Sequence, residues 1–231
     1  MITEPFFRRN LPHWQPAGAT FFITYRLAGT LPVIVLNELQ KEHQRLQALP
    51  REPSYSEAEW NLLVAKKMFA CWDKRLDQDR SIKWLPEPRI SSIIRDNIYH
   101  HAGTKYSLWA YVIMPNHVHV VLQPSEVWTK RFEQDDGRKA QYEKGSLSAI
   151  LHSLRGYTAR EANKILCRTG KFWQGAAYDH WVRDNDELQR IIRYVEKNPV
   201  QAGLVESPED WRFSSAYDRI QQDLGPFDMI V

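Results

Sequence analysis

Apolar and polar positions recur with two different periods along this chain of 231 residues. Segments rich in β-branched and aromatic residues predict strands at 20–28, 106–114 and 117–123, with a short strand within 171–182. Apolar residues spaced three or four apart predict helices at 31–49, 57–76, from Pro88 onward, 146–167 and 184–198. We expect Pro199 to end the last helix. The charged segment 128–144 predicts a loop or a helical extension.

This order of elements indicates the fold class. Strand, helix, strand, strand, helix, strand and helix follow one another, which is typical of an α+β fold with a mostly antiparallel sheet flanked by helices. The two helices after the first strand form an inserted helical hairpin at about 31–85. We therefore expect one domain over 1–231 that carries this insertion.

Composition narrows the functional classes only a little. The net charge of +3 is mildly basic and decides nothing alone. Cys71 and Cys167 are the only cysteines, so a disulfide framework and a cysteine zinc site are excluded and a reducing cytoplasm is expected. No apolar run has membrane-spanning length, and the first ten residues lack a signal-peptide pattern.

The first candidate for chemistry is the pair His117 and His119. Alternation along a strand places both side chains on one face of the sheet. Two imidazoles projecting together can hold a divalent metal and leave positions open for a substrate. Taken alone, a His-x-His pair is more often two half-buried histidines of a hairpin.

The last predicted helix carries the second candidate. Leu188, Ile192 and Val195 belong to its buried stripe, and Tyr194 and Asn198 lie at the edge of that stripe. At this edge Tyr194 can supply a phenolic nucleophile and Asn198 a carbonyl oxygen for a metal. The alternative is a boundary aromatic followed by an ordinary helix end.

Together these segments are similar to a known family. The segments 114–119 (MPNHVH) and 194–204 (YVEKNPVQAGL) closely resemble the REP-associated tyrosine transposases, in the single-tyrosine, insertion-sequence branch of the HUH endonucleases. The resemblance extends to 9–14 (RNLPHW), 154–163 (LRGYTAREAN) and 211–215 (WRFSS). It is least specific near 31–85 and 128–144.

The resemblance implies a ferredoxin-like HUH domain and a specific site. His117, His119 and Asn198 would bind Mg²⁺ or Mn²⁺, and Tyr194 would be the catalytic nucleophile. The implied activity is a metal-dependent endonuclease and strand transferase that cleaves and rejoins single-stranded or hairpin DNA through a 5′-phosphotyrosine. We expect a monomer rather than a homodimer, in the bacterial cytoplasm with the nucleoid. Tyr157 and Tyr178 are the other candidate nucleophiles.

Basic and aromatic residues before the last helix form the candidate DNA surface. Arg160, Lys164 and Arg168 recur at four-residue spacing and can follow phosphates, although an ordinary solvated helix face gives the same pattern. The full set of expected DNA contacts is Arg155, Tyr157, Arg160, Lys164, Arg168, Lys171 and Arg190.

Three functions remain open from the sequence. The first is the DNA strand transferase described above. The second is a domesticated hairpin-DNA-binding protein with little or no cleavage. The third is a metal hydrolase that uses activated water, which gives Tyr194 no role. His100 and His101 are further possible ligands, but we expect them to be cations at a helix end.

Overall fold

A computed structural model describes residues 18–79, 81–133 and 145–230. The segment at 9–14 and residues 134–144 of the charged segment lie outside this range. The strands are β1 (Thr20–Arg26), β2 (Tyr106–Ile113), β3 (His117–Pro124) and β4 (Tyr178–Val182). The helices are α1 (Val33–Gln47), α2 (Glu57–Gln78), α3 (Pro88–His101), α4 (Glu126–Glu133), α5 (Gly145–Ile165), α6 (Asn185–Gln201) and α7 (Ser215–Gln222), with a 3-10 turn at Pro208–Asp210.

The chain divides into two compact units, of which the smaller covers Gly29–Ile82. It contains the helical hairpin expected from the sequence, with α1 and α2 in mutual contact. Ser56 begins α2 with a capping box, in which its hydroxyl accepts from the Glu59 amide and the Glu59 carboxylate accepts from the Ser56 amide. Arg75 of α2 and Glu38 of α1 form an ion pair at 3.0 Å.

The larger unit contains the sheet, whose strand order is β2-β3-β1-β4. All three pairings are antiparallel, and β1 lies between β3 and β4. The predicted α+β class with an antiparallel sheet flanked by helices is therefore confirmed. The central strands β1 and β3 are buried along nearly their whole length, as expected where helices cover both faces.

The two faces of the sheet carry different helices. Register places Phe22 and Thr24 of β1 on the same face as His119, and Tyr194 of α6 contacts Phe22 there. On the other face, Tyr25 packs edge-on against Trp173 at 4.8 Å between ring centroids. Tyr106 on that second face donates a hydrogen bond from its hydroxyl to the Ile98 carbonyl of α3. The helix α6 thus covers one face, and α3 with α5 covers the other.

The end of the last predicted helix differs from the expectation. Pro199 does not end α6, which continues to Gln201 with Pro199 inside its last turn. Pro199 has no amide proton to donate to the carbonyl one turn before it, but the amides of Ala202 and Leu204 still bond to the carbonyls of Asn198 and Pro199. The prediction failed because the tendency of a helix to end before a proline is an average preference, and the buried Pro199 lies within α6 here.

Two further boundaries differ from the sequence prediction. The helix α5 ends at Ile165 rather than at Cys167, whose φ of 49° is left-handed. Arg168 therefore lies beyond the helix and not on a continuous helical stripe with Lys164. The short helix α7 was not predicted; it begins at Ser215 and is capped by Ser214, whose hydroxyl accepts from the amide of Tyr217. Within the described residues, none of the helices is both long and apolar enough to cross a membrane.

Candidate active site

The two histidines of β3 form a close pair inside the larger unit. The Nε2 atoms of His117 and His119 lie 3.1 Å apart, and both side chains are fully buried. Two nitrogens bound at right angles to one ion at ~2.1 Å would lie about 3.0 Å apart. The pair therefore has the separation that neighbouring ligand positions on a single divalent ion require.

A polar neighbour lies within hydrogen-bond distance of Nδ1 in each imidazole. Nδ1 of His119 is 2.7 Å from the hydroxyl of Thr24 on β1, and Nδ1 of His117 is 2.7 Å from Oδ1 of Asn116. If Nδ1 carries the proton in both rings, each ring presents the lone pair of Nε2 to the space between them. Hydrogen bonds of this kind fix ring orientation and tautomer in metal-binding histidines.

Burial keeps the imidazole of His119 in the neutral form that can bind a cation. Loss of water lowers the pKa of His119 from its ordinary value to about 3, so this ring is neutral at physiological pH. A neutral imidazole retains the lone pair that a metal needs, whereas an imidazolium would repel the ion. The chemistry of the donor set thus fits a divalent metal.

Tyr194 faces the histidine pair from α6. Its ring centroid is 5.9 Å from that of His119, and it packs edge-on against Phe22 at 6.0 Å. Phe22 also contacts His119 at 5.4 Å and Tyr178 at 6.0 Å. Phe22 therefore packs against both the tyrosine of α6 and the histidine of β3.

Asn198 lies one helical turn after Tyr194 and is 1 % exposed. Its four-residue spacing puts it on the same side of α6 as the tyrosine. The structure thus brings His117, His119 and Tyr194 into one cluster and keeps Asn198 buried on the same helix. Its role as a metal ligand stays a prediction.

The other candidate nucleophiles differ in position. Tyr157 is 46 % exposed on α5, which covers the face of the sheet opposite the histidines. Tyr178 is on β4 and shares the histidine face through Phe22. Of these two, only Tyr178 is near the cluster.

The candidate DNA contacts on α5 surround two open cavities. Arg155 and Lys171 line one cavity of about 600 Å³, whereas Tyr157 and Arg160 line another of about 760 Å³. Arg160 lies over the ring of Tyr157, at 5.7 Å from its centroid. Glu161 forms ion pairs with Arg160 at 3.1 Å and with Lys164 at 3.0 Å, which offsets part of their positive charge.

The remaining predicted DNA contacts are spread over other elements. Arg168 stacks over the ring of Trp84 at 4.1 Å and donates to Oδ1 of Asn163, so its guanidinium helps to fix the turn after α5. Arg190 is exposed on α6, one turn before Tyr194. These residues do not share one helix face, and their contacts with DNA stay a prediction.

His100 and His101 end α3, away from the face that carries the histidine pair. Burial, with Lys105 and His100 nearby, lowers the pKa of His101 to about 4. The expectation of two cations at this helix end is therefore wrong for His101, because desolvation and neighbouring positive charge outweigh the favourable end of the helix dipole.

Three site residues were not identified from the sequence: Thr24, Phe22 and Asn116. Thr24 is a polar residue within the largely apolar stretch 21–25 (FFITY) of β1, which is a signal for an inward-facing functional group. Its partner His119 is 95 positions away, and only the pairing of β1 with β3 brings them together. Asn116 lies between the strands predicted at 106–114 and 117–123, but a place in a turn does not by itself predict a bond to His117.

Comparisons with known proteins test the resemblance to the REP-associated tyrosine transposases. No protein-family model matches the chain. A protein of Haemophilus influenzae named "Putative REP-associated tyrosine transposase" is 27 % identical over 122 residues, which are 52 % of this chain. The match spans 64 % of that relative's length.

A solved structure of a REP-associated tyrosine transposase bound to a REP hairpin has a similar fold. The TM-score is 0.51 at 16 % identity, and the match covers 94 % of this chain and 88 % of the other. At this identity the match speaks for the fold alone. The resemblance to the REP-associated tyrosine transposases that the sequence motifs indicate is thus confirmed by a curated relative. The solved structure adds a similar fold over most of the chain.

Proposed function

We propose that this protein cleaves and rejoins single-stranded or hairpin DNA, with Tyr194 as the nucleophile. The observation that carries the proposal is the cluster of three side chains: His117 and His119 with Nε2 atoms 3.1 Å apart, and the ring of Tyr194 at 5.9 Å from that of His119. A nucleophile beside two imidazoles that can hold a divalent metal suits phosphoryl transfer to a side chain.

His117, His119 and Asn198 would hold Mg²⁺ or Mn²⁺. When bound, such an ion withdraws electron density from a phosphate oxygen and stabilises negative charge in the transition state. The protein's own residues orient the ligands: Thr24 and Asn116 direct the two imidazoles. Phe22 contacts both His119 and Tyr194 and so helps to hold the two rings in place.

Tyr194 would attack phosphorus through its phenolic oxygen. A bond forms between that oxygen and phosphorus, the bond from phosphorus to the 3′ oxygen breaks, and the strand leaves with a 3′ hydroxyl after proton transfer. The 5′-phosphotyrosine conserves a phosphodiester, so a 3′ hydroxyl can reverse the step and rejoin DNA. A hydrolase that uses water would lose this bond and would leave Tyr194 without a role.

A labelled hairpin oligonucleotide distinguishes the functions. The protein is incubated with 5′- or 3′-labelled DNA and Mg²⁺ or Mn²⁺, then resolved on a denaturing gel. A covalent adduct that needs the metal and retains the label 3′ to the cut supports the proposal. Cleavage without an adduct would indicate a hydrolase, and binding with neither would indicate a hairpin-binding protein.

A further inference from the structure

The open cavity of about 600 Å³ beside α5 is not used by the proposed chemistry. It lies on the sheet face opposite the histidine pair, between α5 and the segment that leads into β4. Small residues, among them Gly156, Ala159 and Gly175, form part of its wall and leave the space open. Its volume is in the range that encloses a group the size of a nucleotide.

Asp179 gives this cavity one strong acceptor. It stands on β4 opposite Ile23 of β1, so its side chain points to the face that α5 covers. Within the described part of the chain its carboxylate has no hydrogen bond or ion pair. Burial raises its pKa to about 7. Asp179 is half-buried, and a carboxylate partly withdrawn from water without a donor is well placed to accept N–H groups from a ligand.

Arg155 holds the opposite wall in place. Its two terminal nitrogens donate to the backbone carbonyls of Gln174 and Gly175, the latter at 3.2 Å. The guanidinium therefore fixes the loop before β4. Lys171, which is exposed, adds a cation to the lining. The cavity thus combines an acceptor without a donor, a fixed wall and a positive charge.

We infer that this cavity holds one unpaired guanine of the DNA strand, with Asp179 accepting from its Watson–Crick edge; this inference rests on the proposed function. Guanine presents two adjacent N–H donors, N1–H and the 2-amino group, which match the two oxygens of one carboxylate. Adenine, cytosine and thymine each present one donor group on that edge. Lys171 lines the same cavity and gives it a positive charge.

The strand β4 connects the cavity with the candidate active site. Tyr178 lies on the histidine face and contacts Phe22, whereas the next residue, Asp179, lies on the cavity face. Because β4 is at the edge of the sheet, a single strand of DNA can pass around it. The guanine held in the cavity then fixes which phosphate reaches Tyr194.

Binding of defined oligonucleotides tests this inference. The probe is a thymidine strand of about a dozen nucleotides with one central dG, deoxyinosine, dA or dC. We expect dG to lower the Kd by roughly tenfold relative to dT, as one bidentate contact would, and deoxyinosine, which lacks the 2-amino group, to give a smaller gain. Fluorescence anisotropy measures the Kd for each strand.

Two variants assign the preference to the cavity. Asp179→Asn removes one acceptor, and Gly175→Leu fills the space, where a Cβ would meet no described heavy atom within 4 Å. Both should lose the tenfold preference for dG and bind the dT strand as the wild type does. Asp210→Asn, which changes an exposed carboxylate on the 3-10 turn, should keep the preference.

The outcomes separate this inference from the proposed function. No preference for dG in the wild type, or a preference that survives in both cavity variants, would overturn the guanine site. A Tyr194 adduct that still forms in those cases leaves the proposed function intact. Loss of the dG preference in both variants supports the site, whether or not the wild type forms an adduct.

Discussion

The rings of Tyr194 and His119 lie 5.9 Å apart, with their planes tilted by 59°. Tyr194 comes from α6 and His119 from β3, so the contact depends on α6 lying over the sheet face that carries the histidines. Phe22 of β1 touches both rings and fixes their separation. A change that moves α6 therefore alters the distance between nucleophile and imidazole pair.

Thr24→Val should weaken metal binding without unfolding the protein. Valine keeps the shape of threonine but removes the hydroxyl that lies 2.7 Å from Nδ1 of His119. Loss of such an orienting partner commonly lowers metal affinity by roughly 10- to 100-fold. Calorimetric titration with Mn²⁺ measures the change in affinity. The variant His119→Ala gives the Mn²⁺ affinity that remains when this ligand is lost. An unchanged Mn²⁺ affinity in Thr24→Val would mean that the hydroxyl does not orient the ligand.

Arg219→Met should destabilise the larger unit. Arg219 is buried and donates to Glu196 of α6 at 2.8 Å, to the Trp109 carbonyl of β2 at 2.6 Å and to the Asp228 carbonyl at 2.6 Å. Breaking one side of a buried pair typically costs about 3–5 kcal/mol, because the other charge stays buried. Urea unfolding measures the loss.

The double variant Arg219→Met with Glu196→Gln should recover part of that stability, since no charge is then left without its partner. The exposed Arg212→Met serves as the control and should change the free energy of unfolding little. A double variant no more stable than Arg219→Met would contradict the assignment to the ion pair.

Asp179→Asn should stabilise the protein more at pH 8 than at pH 4. The folded pKa of about 7 lies above the ordinary value of 3.8, so the folded state binds the proton more tightly than the unfolded state. Wild-type stability from this group is complete below pH 3.8 and falls as pH rises toward 7. Asparagine removes that loss, which should be worth at least about 1 kcal/mol.

Thermal or urea unfolding at the two pH values measures this difference. His152, Arg155 and Lys171 line the same cavity and are present in both proteins, so the two proteins differ only at residue 179. A stabilisation of equal size at pH 4 and pH 8 would show that burial does not raise the pKa of the Asp179 carboxyl.

Arg160 and Lys164 should contribute to the salt-dependent part of the affinity for hairpin DNA. Neutralising both as glutamine should reduce the slope of log affinity against log salt by roughly one to two units if each contacts a phosphate. Because Glu161 pairs with both, Glu161→Gln should tighten binding to the same hairpin. A salt slope that stays unchanged in the double variant would exclude this surface from the DNA path.

Much of the candidate site was accessible from sequence because it is local. Strand alternation placed His117 and His119 on one face, and helical spacing placed Tyr194 and Asn198 on one side of α6. The order of the strands was not accessible, because the pairing of β1 between β3 and β4 joins positions far apart in the chain. The contacts of Thr24, Phe22 and Arg219, and the cavity at Asp179, all depend on those long-range pairings.

The central claim is that Tyr194 becomes linked to DNA. The direct measurement is mass spectrometry of the tryptic peptides from the purified covalent adduct, in the wild type and in Tyr194→Phe, Tyr178→Phe and Tyr157→Phe. We predict a nucleotide on Tyr194, no adduct in Tyr194→Phe with hairpin affinity within a few fold of wild type, and adducts in the other two variants. An adduct that persists in Tyr194→Phe, or a nucleotide mapped to Tyr178 or Tyr157, would contradict the account.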